Sequence, residues 1–304
     1  MARSIYIASP NAGTGKSTVA LGLVSCLTKV VAKVGVFRPF VESREGDAFL
    51  SLLLNRAGST TPPEQCVGAT WDEFHADPEE ALARIVDAYR AMAREHDVVI
   101  IDGSDFTDVA GNPELAINAR VAANIGVPVL LVVSGQNDVE DVVASVEVSM
   151  AEIADNHART VAVVANKCLP ETRQAVGEAL TAIEGITSTT LPEVPLLAAP
   201  VVREVLDAVE GTLIAGDETL LDREAESVLV CAMDVSHVLE RLTAGQLAIV
   251  PADRSAMLIS LMAAQASSSF PILSGLILNG GFEVAPHALR LLEGLDVNIP
   301  VITS

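Results

Sequence analysis

Short runs of branched aliphatic residues recur along the chain at 4–8, 34–37, 98–101, 127–133 and 161–165. They are apolar at successive positions rather than at alternate ones, as in strands buried on both faces. Helix-length stretches at 17–32, 78–95 and 139–153 lie among them. Strands alternating with helices predict βαβ units, a parallel sheet and helices on both of its faces. Pro192 and Pro195 interrupt the pattern, and a helix-like stretch at 200–209 closes the first series. Gly211, Gly216 and the charged residues 217–226 read as a link, with Asp222-Arg223-Glu224 as a solvated face. A second series of apolar runs occupies 228–232, 247–250, 276–278 and 299–302, with a helix at 256–265. The expected organisation is α/β throughout, with one domain over 1–210 and a smaller one over 211–304.

Composition supports that picture. At about 100–200 residues per domain, 304 residues suggest two domains. Half of the residues are apolar but only 3% are aromatic, so Ala, Val, Leu and Ile must build the cores. Nineteen basic residues against 40 acidic ones give a net charge of −21. Such a surface repels phosphate backbones and anionic lipid. It argues against nucleic-acid and membrane partners but allows a local basic pocket for one small anion. No apolar run approaches the ~18 residues of a membrane span, and the start runs straight into a strand without a signal peptide. Cys26, Cys66, Cys168 and Cys231 lie far apart and form no zinc pattern. A cytoplasmic chain with free thiols is expected. The last apolar run stops abruptly at Ser304, as a terminal strand does or as a piece cut from a longer protein would.

The strongest chemical signal is Asn11-Ala12-Gly13-Thr14-Gly15-Lys16-Ser17-Thr18, placed after the first strand and before a helix. A phosphate-binding loop needs that context. Gly13 and Gly15 let the backbone approach phosphate oxygens, and successive N–H groups form an anion cradle at the positive end of the helix. Lys16 is placed to reach the β- and γ-phosphates, and Ser17 to ligate Mg²⁺. Thr18 would contact the α-phosphate or cap the helix. Pro10 stands where the strict motif has Gly, so a structural glycine turn is the alternative. The run 97–102 is a strand ending in Asp102, a carboxylate suited to Mg²⁺ or its water. Arg38 ends the second strand and could face phosphate, while Asn166 could read a base edge. A surface arginine and a turn-forming Asn are the plain alternatives.

These features resemble a known branch. The phosphate loop, Phe37-Arg38-Pro39, Asp47-Ala48-Phe49, Asp102-Gly103 and Ala165-Asn166-Lys167 resemble dethiobiotin synthetase-like P-loop proteins. Residues from about 211 resemble the DRTGG domain, whose signature falls on Asp253, Arg254, Asn279, Gly280 and Gly281, with Asn279 in place of the family threonine. In this order the two domains resemble the N-terminal region of long-form bacterial phosphate acetyltransferases. The resemblance implies a P-loop NTPase-like parallel sheet followed by a smaller regulatory domain. It implies Mg²⁺ with ATP or another nucleotide, held by the 11–18 loop, Arg38 and Asn166, with Ser17, Asp47 and Asp102 at the metal. It further implies a metabolite effector and a homo-oligomer. Acetyl-CoA and phosphate would be substrates of the full-length protein, on a catalytic domain absent from this chain.

Two other classes remain open. In a dethiobiotin synthetase-like ligase, Lys would stand where Arg38 is, Gly at Ser9 and Glu at Asp102. A free-standing nucleotide-binding regulator, similar to the partition ATPases, would carry a further loop lysine where Asn11 stands. In the second domain His237 and His287 are isolated, and no paired carboxylates suit acid–base work, so a ligand or partner module is expected there.

Overall fold

The computed structural model describes residues 3–44, 46–104, 114–294 and 298–304. Its contacts divide the chain into two compact units, 1–193 and 194–304.

The first unit runs β1 (Arg3–Ala8), α1 (Lys16–Leu27), β2 (Val34–Val41), α2 (Ala48–Ala57), β3 (Val67–Thr70), α3 (Trp71–Ala76), α4 (Pro78–Glu95) and β4 (Val98–Asp102). It continues with α5 (Glu114–Ile125), β5 (Val129–Ser134), α6 (Val139–Asp155), β6 (Thr160–Cys168), α7 (Arg173–Thr181) and β7 (Thr187–Pro192). The seven strands pair in the order β3-β2-β4-β1-β5-β6-β7, and every pairing is parallel. Every residue of β2 is buried, Arg38 included, as befits a largely apolar strand covered on both faces. Strand β1 lies between β4 and β5, so the chain winds outward from it in both directions. The carboxyl end of such a strand is where open α/β sheets form their ligand crevice.

Helix α4 shows how sequence fixes a covering element. Ala81, Leu82, Ile85, Tyr89, Met92 and Ala93 form one buried stripe at helical spacing. Asp77 accepts the N–H groups of Glu79 and Glu80 at 3.1 and 3.0 Å, and Pro78 occupies the first turn. The scarce aromatics gather nearby: Phe40 stacks on Trp71 at 4.7 Å and meets Phe74 edge-on at 5.1 Å. The first helix stops at Leu27, with turns following from Thr28, short of the expected 32.

The second unit contains α8 (Val202–Ala208), β8 (Thr212–Ala215), β9 (Ser227–Val230), α9 (Val235–Leu239), β10 (Gln246–Pro251), α10 (Ser255–Gln265), β11 (Gly275–Asn279), α11 (Pro286–Gly294) and β12 (Val301–Thr303). Its sheet has the order β8-β12-β11-β10-β9, parallel except for β8, which runs antiparallel to β12. Val202 of α8 is buried with Leu247, Ile277 and Ile302 on one face. Ala248, Val250, Leu276 and Leu278 join Met257, Leu258 and Leu261 of α10 in a separate core. Both units are α/β, as the alternating pattern requires.

Candidate functional site

The 11–15 segment leaves β1 at the crevice and enters α1. Gly15 caps the helix at φ 80°, a conformation that costs glycine little, and no side chain caps the first turn. Its N–H groups and the positive helix end therefore face the loop. A Cβ on Gly15 would lie 2.3 Å from Asn166 Nδ2. Asn166 donates to the Thr14 carbonyl at 2.8 Å, and Lys167 donates to the Gly13 carbonyl at 2.8 Å. The end of β6 thus holds the loop through two backbone oxygens. Asn166 serves as a brace in this conformation. Asn11, Ala12 and Gly13 are exposed, Thr14 is buried, Ser17 is half-buried and Thr18 is exposed.

Beneath the loop lies a charged cluster. Lys16 is buried, and its Nζ donates to Asp102 Oδ1 at 2.8 Å and to the Gly103 carbonyl. Arg38 Nε stands 3.4 Å from Asp102 Oδ2, and Arg38 Nη1 pairs with Asp47 Oδ2. Asp47 also accepts the Leu50 N–H at 2.8 Å through Oδ1, capping α2. The Arg38 guanidinium lies 5.9 Å from the centre of the Phe49 ring. Two cations and two carboxylates therefore balance in a largely buried setting. The balance is incomplete in hydrogen bonds. Ser9 Oγ is buried without a hydrogen-bond partner among the described residues, and Arg38 Nε and Asp102 Oδ2 make no hydrogen bond beyond their own 3.4 Å ion pair. Such atoms are costly to leave unmet and mark where a ligand or water would be received.

The sequence reading missed the groups that set the Asp102 strand end. Asn118 of α5 accepts the Tyr6 hydroxyl at 2.6 Å and the Ser104 N–H at 3.1 Å, and donates to the Ser104 carbonyl at 3.2 Å. A Cβ on Gly103 would lie 2.6 Å from Asn118 Oδ1 and 2.7 Å from the Ile7 carbonyl, so the chain passes there only as glycine. Burial, and then the Asp102 charge, pushes the Tyr6 phenol well above 10.0. It stays a neutral donor to Asn118. The sequence marks Lys167 only as part of a strand end. Its φ of 60°, unusual for a non-glycine residue, accompanies its reach back to the loop.

In the second unit, Asp253-Arg254 and Asn279-Gly280-Gly281 follow the ends of β10 and β11, where Pro251 and Asn279 are paired in register. Arg254 Nη1 donates to the Ala232 and Met233 carbonyls at 3.0 and 3.2 Å, clamping the turn after β9. Asp253, Asn279, Gly280 and Gly281 are exposed, and the two glycines have φ of 96° and 66°. His237 Nδ1 lies 3.9 Å from Glu240, which follows the end of its short helix, and His287 is exposed. Among the described residues no group of three or more His, Cys, Asp or Glu is placed to hold a metal, and no helix is long and apolar enough to cross a membrane.

Comparison with known proteins covers both units. Residues 3–205 match the AAA domain family and residues 204–304 match the DRTGG domain. The whole chain aligns, at 27% identity over 320 residues, with 45% of a phosphate acetyltransferase from Nitratidesulfovibrio vulgaris. A phosphate acetyltransferase from Synechocystis sp. is 25% identical over 315 residues, covering 99% of this chain and 45% of the relative. The chain thus spans less than half the length of these curated relatives. A solved plasmid partition protein from Borrelia burgdorferi matches 62% of the chain and 90% of its own, at 14% identity and a TM-score of 0.44. The chain belongs to the AAA domain family through its P-loop domain, which is followed by a DRTGG domain, a pair aligned along its full length with phosphate acetyltransferases.

Proposed function

We propose that the first unit binds a nucleoside triphosphate such as ATP with Mg²⁺, and that the chain is the nucleotide-binding, regulatory part of a phosphate acetyltransferase. The observation that carries the first half is the loop between β1 and α1, with Lys16 directly beneath it and paired to Asp102. A polyphosphate in the cradle would draw Lys16 away from Asp102 and the Gly103 carbonyl. Arg38, already in the cluster, adds a second cation close by. The residues present fit Mg²⁺. Asp102 Oδ2 is buried and makes no hydrogen bond, its cation neighbour being Arg38 Nε at 3.4 Å, and Ser17 lies in the first turn of α1. One carboxylate and one hydroxyl suit an ion that takes its other oxygens from phosphate and water. When bound on Ser17 and Asp102, it would neutralise phosphate charge. Asp47 is a poorer ligand, since one oxygen caps α2 and the other pairs with Arg38.

The second half rests on the full-length alignment with relatives named phosphate acetyltransferase. We place acetyl transfer between coenzyme A and phosphate outside these residues. The second unit would be the effector module, offering Asp253, Arg254 and the 279–281 turn to a metabolite or to another copy of the chain. Thermal melting tests the reading. ATP with Mg²⁺ should raise the melting temperature by several degrees, because a ligand that binds only the folded state stabilises it. No shift at millimolar ATP would mean that the loop is purely structural. The same preparation, given acetyl-CoA and phosphate, should lose no thioester. Turnover would put the transfer site within the chain.

A further inference from the structure

A cleft of about 1230 Å³ opens within the first unit where β1, β4 and β5 begin. The strands are parallel, so their starts lie at the opposite sheet edge from the phosphate loop. Arg3, Arg90 and Arg94 line it, together with Tyr89, Asp97 and Pro128. The three arginines are exposed. Among the described residues none of their guanidinium groups has an ion pair or hydrogen bond, whereas Arg38, Arg44, Arg84, Arg120 and Arg203 each pair with a carboxylate.

In a chain of 40 acidic and 19 basic residues, three unpaired arginines around one hollow call for a cause. Arg90 and Arg94 stand four apart on α4, where like charges repel. The negative end of the α4 dipole favours Arg94 in the last turn. It gives no reason for Arg3, which comes from β1 and is brought alongside by its N–H bond to the Asp97 carbonyl at 3.0 Å. Asp97 is the one acid among the described residues of the lining, and its Oδ2 accepts the Lys33 N–H at 3.2 Å. Positive charge is therefore in surplus. Guanidinium forks match phosphate oxygens in pairs. Ala93, Ile125, Val127 and Pro128 supply the apolar wall that a small-molecule site needs beside its few charged anchors.

The geometry points to a second anion site here, one that takes a phosphate-bearing small molecule on Arg3, Arg90 and Arg94. It is separate from the nucleotide loop and does not depend on it. Because catalytic ligands of open α/β sheets sit at the carboxyl ends of the strands, this site is an effector position rather than a reaction centre.

Inorganic pyrophosphate is the probe, titrated calorimetrically without metal into the 304-residue chain carrying Lys16→Ala, which weakens the phosphate loop. Saturable binding should persist, and adding Arg90→Gln with Arg94→Gln should weaken it at least tenfold. Arg94→Gln alone should weaken it several-fold, which covers the case of a double variant that does not fold. Arg241→Gln, on the second unit, should change nothing. Loss of all binding in Lys16→Ala, or binding indifferent to Arg94→Gln, would overturn the proposal.

Discussion

Gly15 joins the local conformation of the loop to its distant brace. Its φ of 80° is left-handed, and a side chain there would collide with Asn166. Gly15→Ala should lower unfolding free energy by about 1–2 kcal/mol from the backbone conformation alone. It should also loosen the Asn166 contact with Thr14. Urea denaturation measures the first effect, and an unchanged midpoint would show that the loop has another resting shape. Single residues differ sharply in how legible they are. Gly13, Gly15, Lys16 and Ser17 announce themselves by spacing at a strand–helix junction. The motif places Lys16 at the phosphates, but that it pairs with Asp102 needs β4 to be placed first, and the Arg38–Asp47 pair needs β2 and α2. Asn118 carries no sequence signal at all. It is one of four polar residues on α5, with Glu114, Arg120 and Asn124, and only the fold reveals that it sits over Gly103 and Ser104.

At the scale of elements, the start of α3 gives a pH-dependent prediction. Thr70 and Glu73 cap the helix reciprocally, with Glu73 Oε2 accepting the Thr70 N–H at 2.8 Å and Thr70 Oγ1 accepting the Glu73 N–H at 3.2 Å. Arg44 and Arg84 add ion pairs at 2.8 and 3.1 Å. The backbone hydrogen bond from Thr70, and then the arginines, hold the Glu73 carboxyl below the usual carboxylate range. A lowered folded-state pKa contributes stability above the unfolded value, near ~4.3, and loses it as pH falls through the folded one. Glu73→Gln should therefore cost about 1 kcal/mol at pH 7. That cost should shrink through the acid range below ~4.3. A difference independent of pH would assign it to packing. The long apolar strands and α4 were legible because their patterns are strong. Strand β7 was not, because it is a Thr- and Ser-rich edge strand with no apolar run. Strand β3 has only four residues, one of them glycine. The helical character of α8 was visible, but which sheet its buried Val202 covers depends on long-range packing.

Across the whole molecule, a net charge of −21 means that anionic ligands are held only where cations are gathered. Lys16 and Arg38 gather beneath the phosphate loop, and Arg3, Arg90 and Arg94 at the other edge of the same sheet. The α/β class and the order of two domains were readable from alternating apolar runs and glycine punctuation. The antiparallel β8 was not, since four half-exposed residues after a glycine carry no direction. The central claim is that the first unit is a nucleotide site working through Lys16. Calorimetric titration of ATP with Mg²⁺ into the wild-type chain and into Lys16→Ala tests it most directly. The account predicts saturable binding at the loop in the wild type, weakened at least tenfold in the variant because the phosphate charge there is then met by Arg38 alone, whatever anion binding remains at the distant arginines. Equal affinity in the two proteins, or no binding in the wild type, would contradict it.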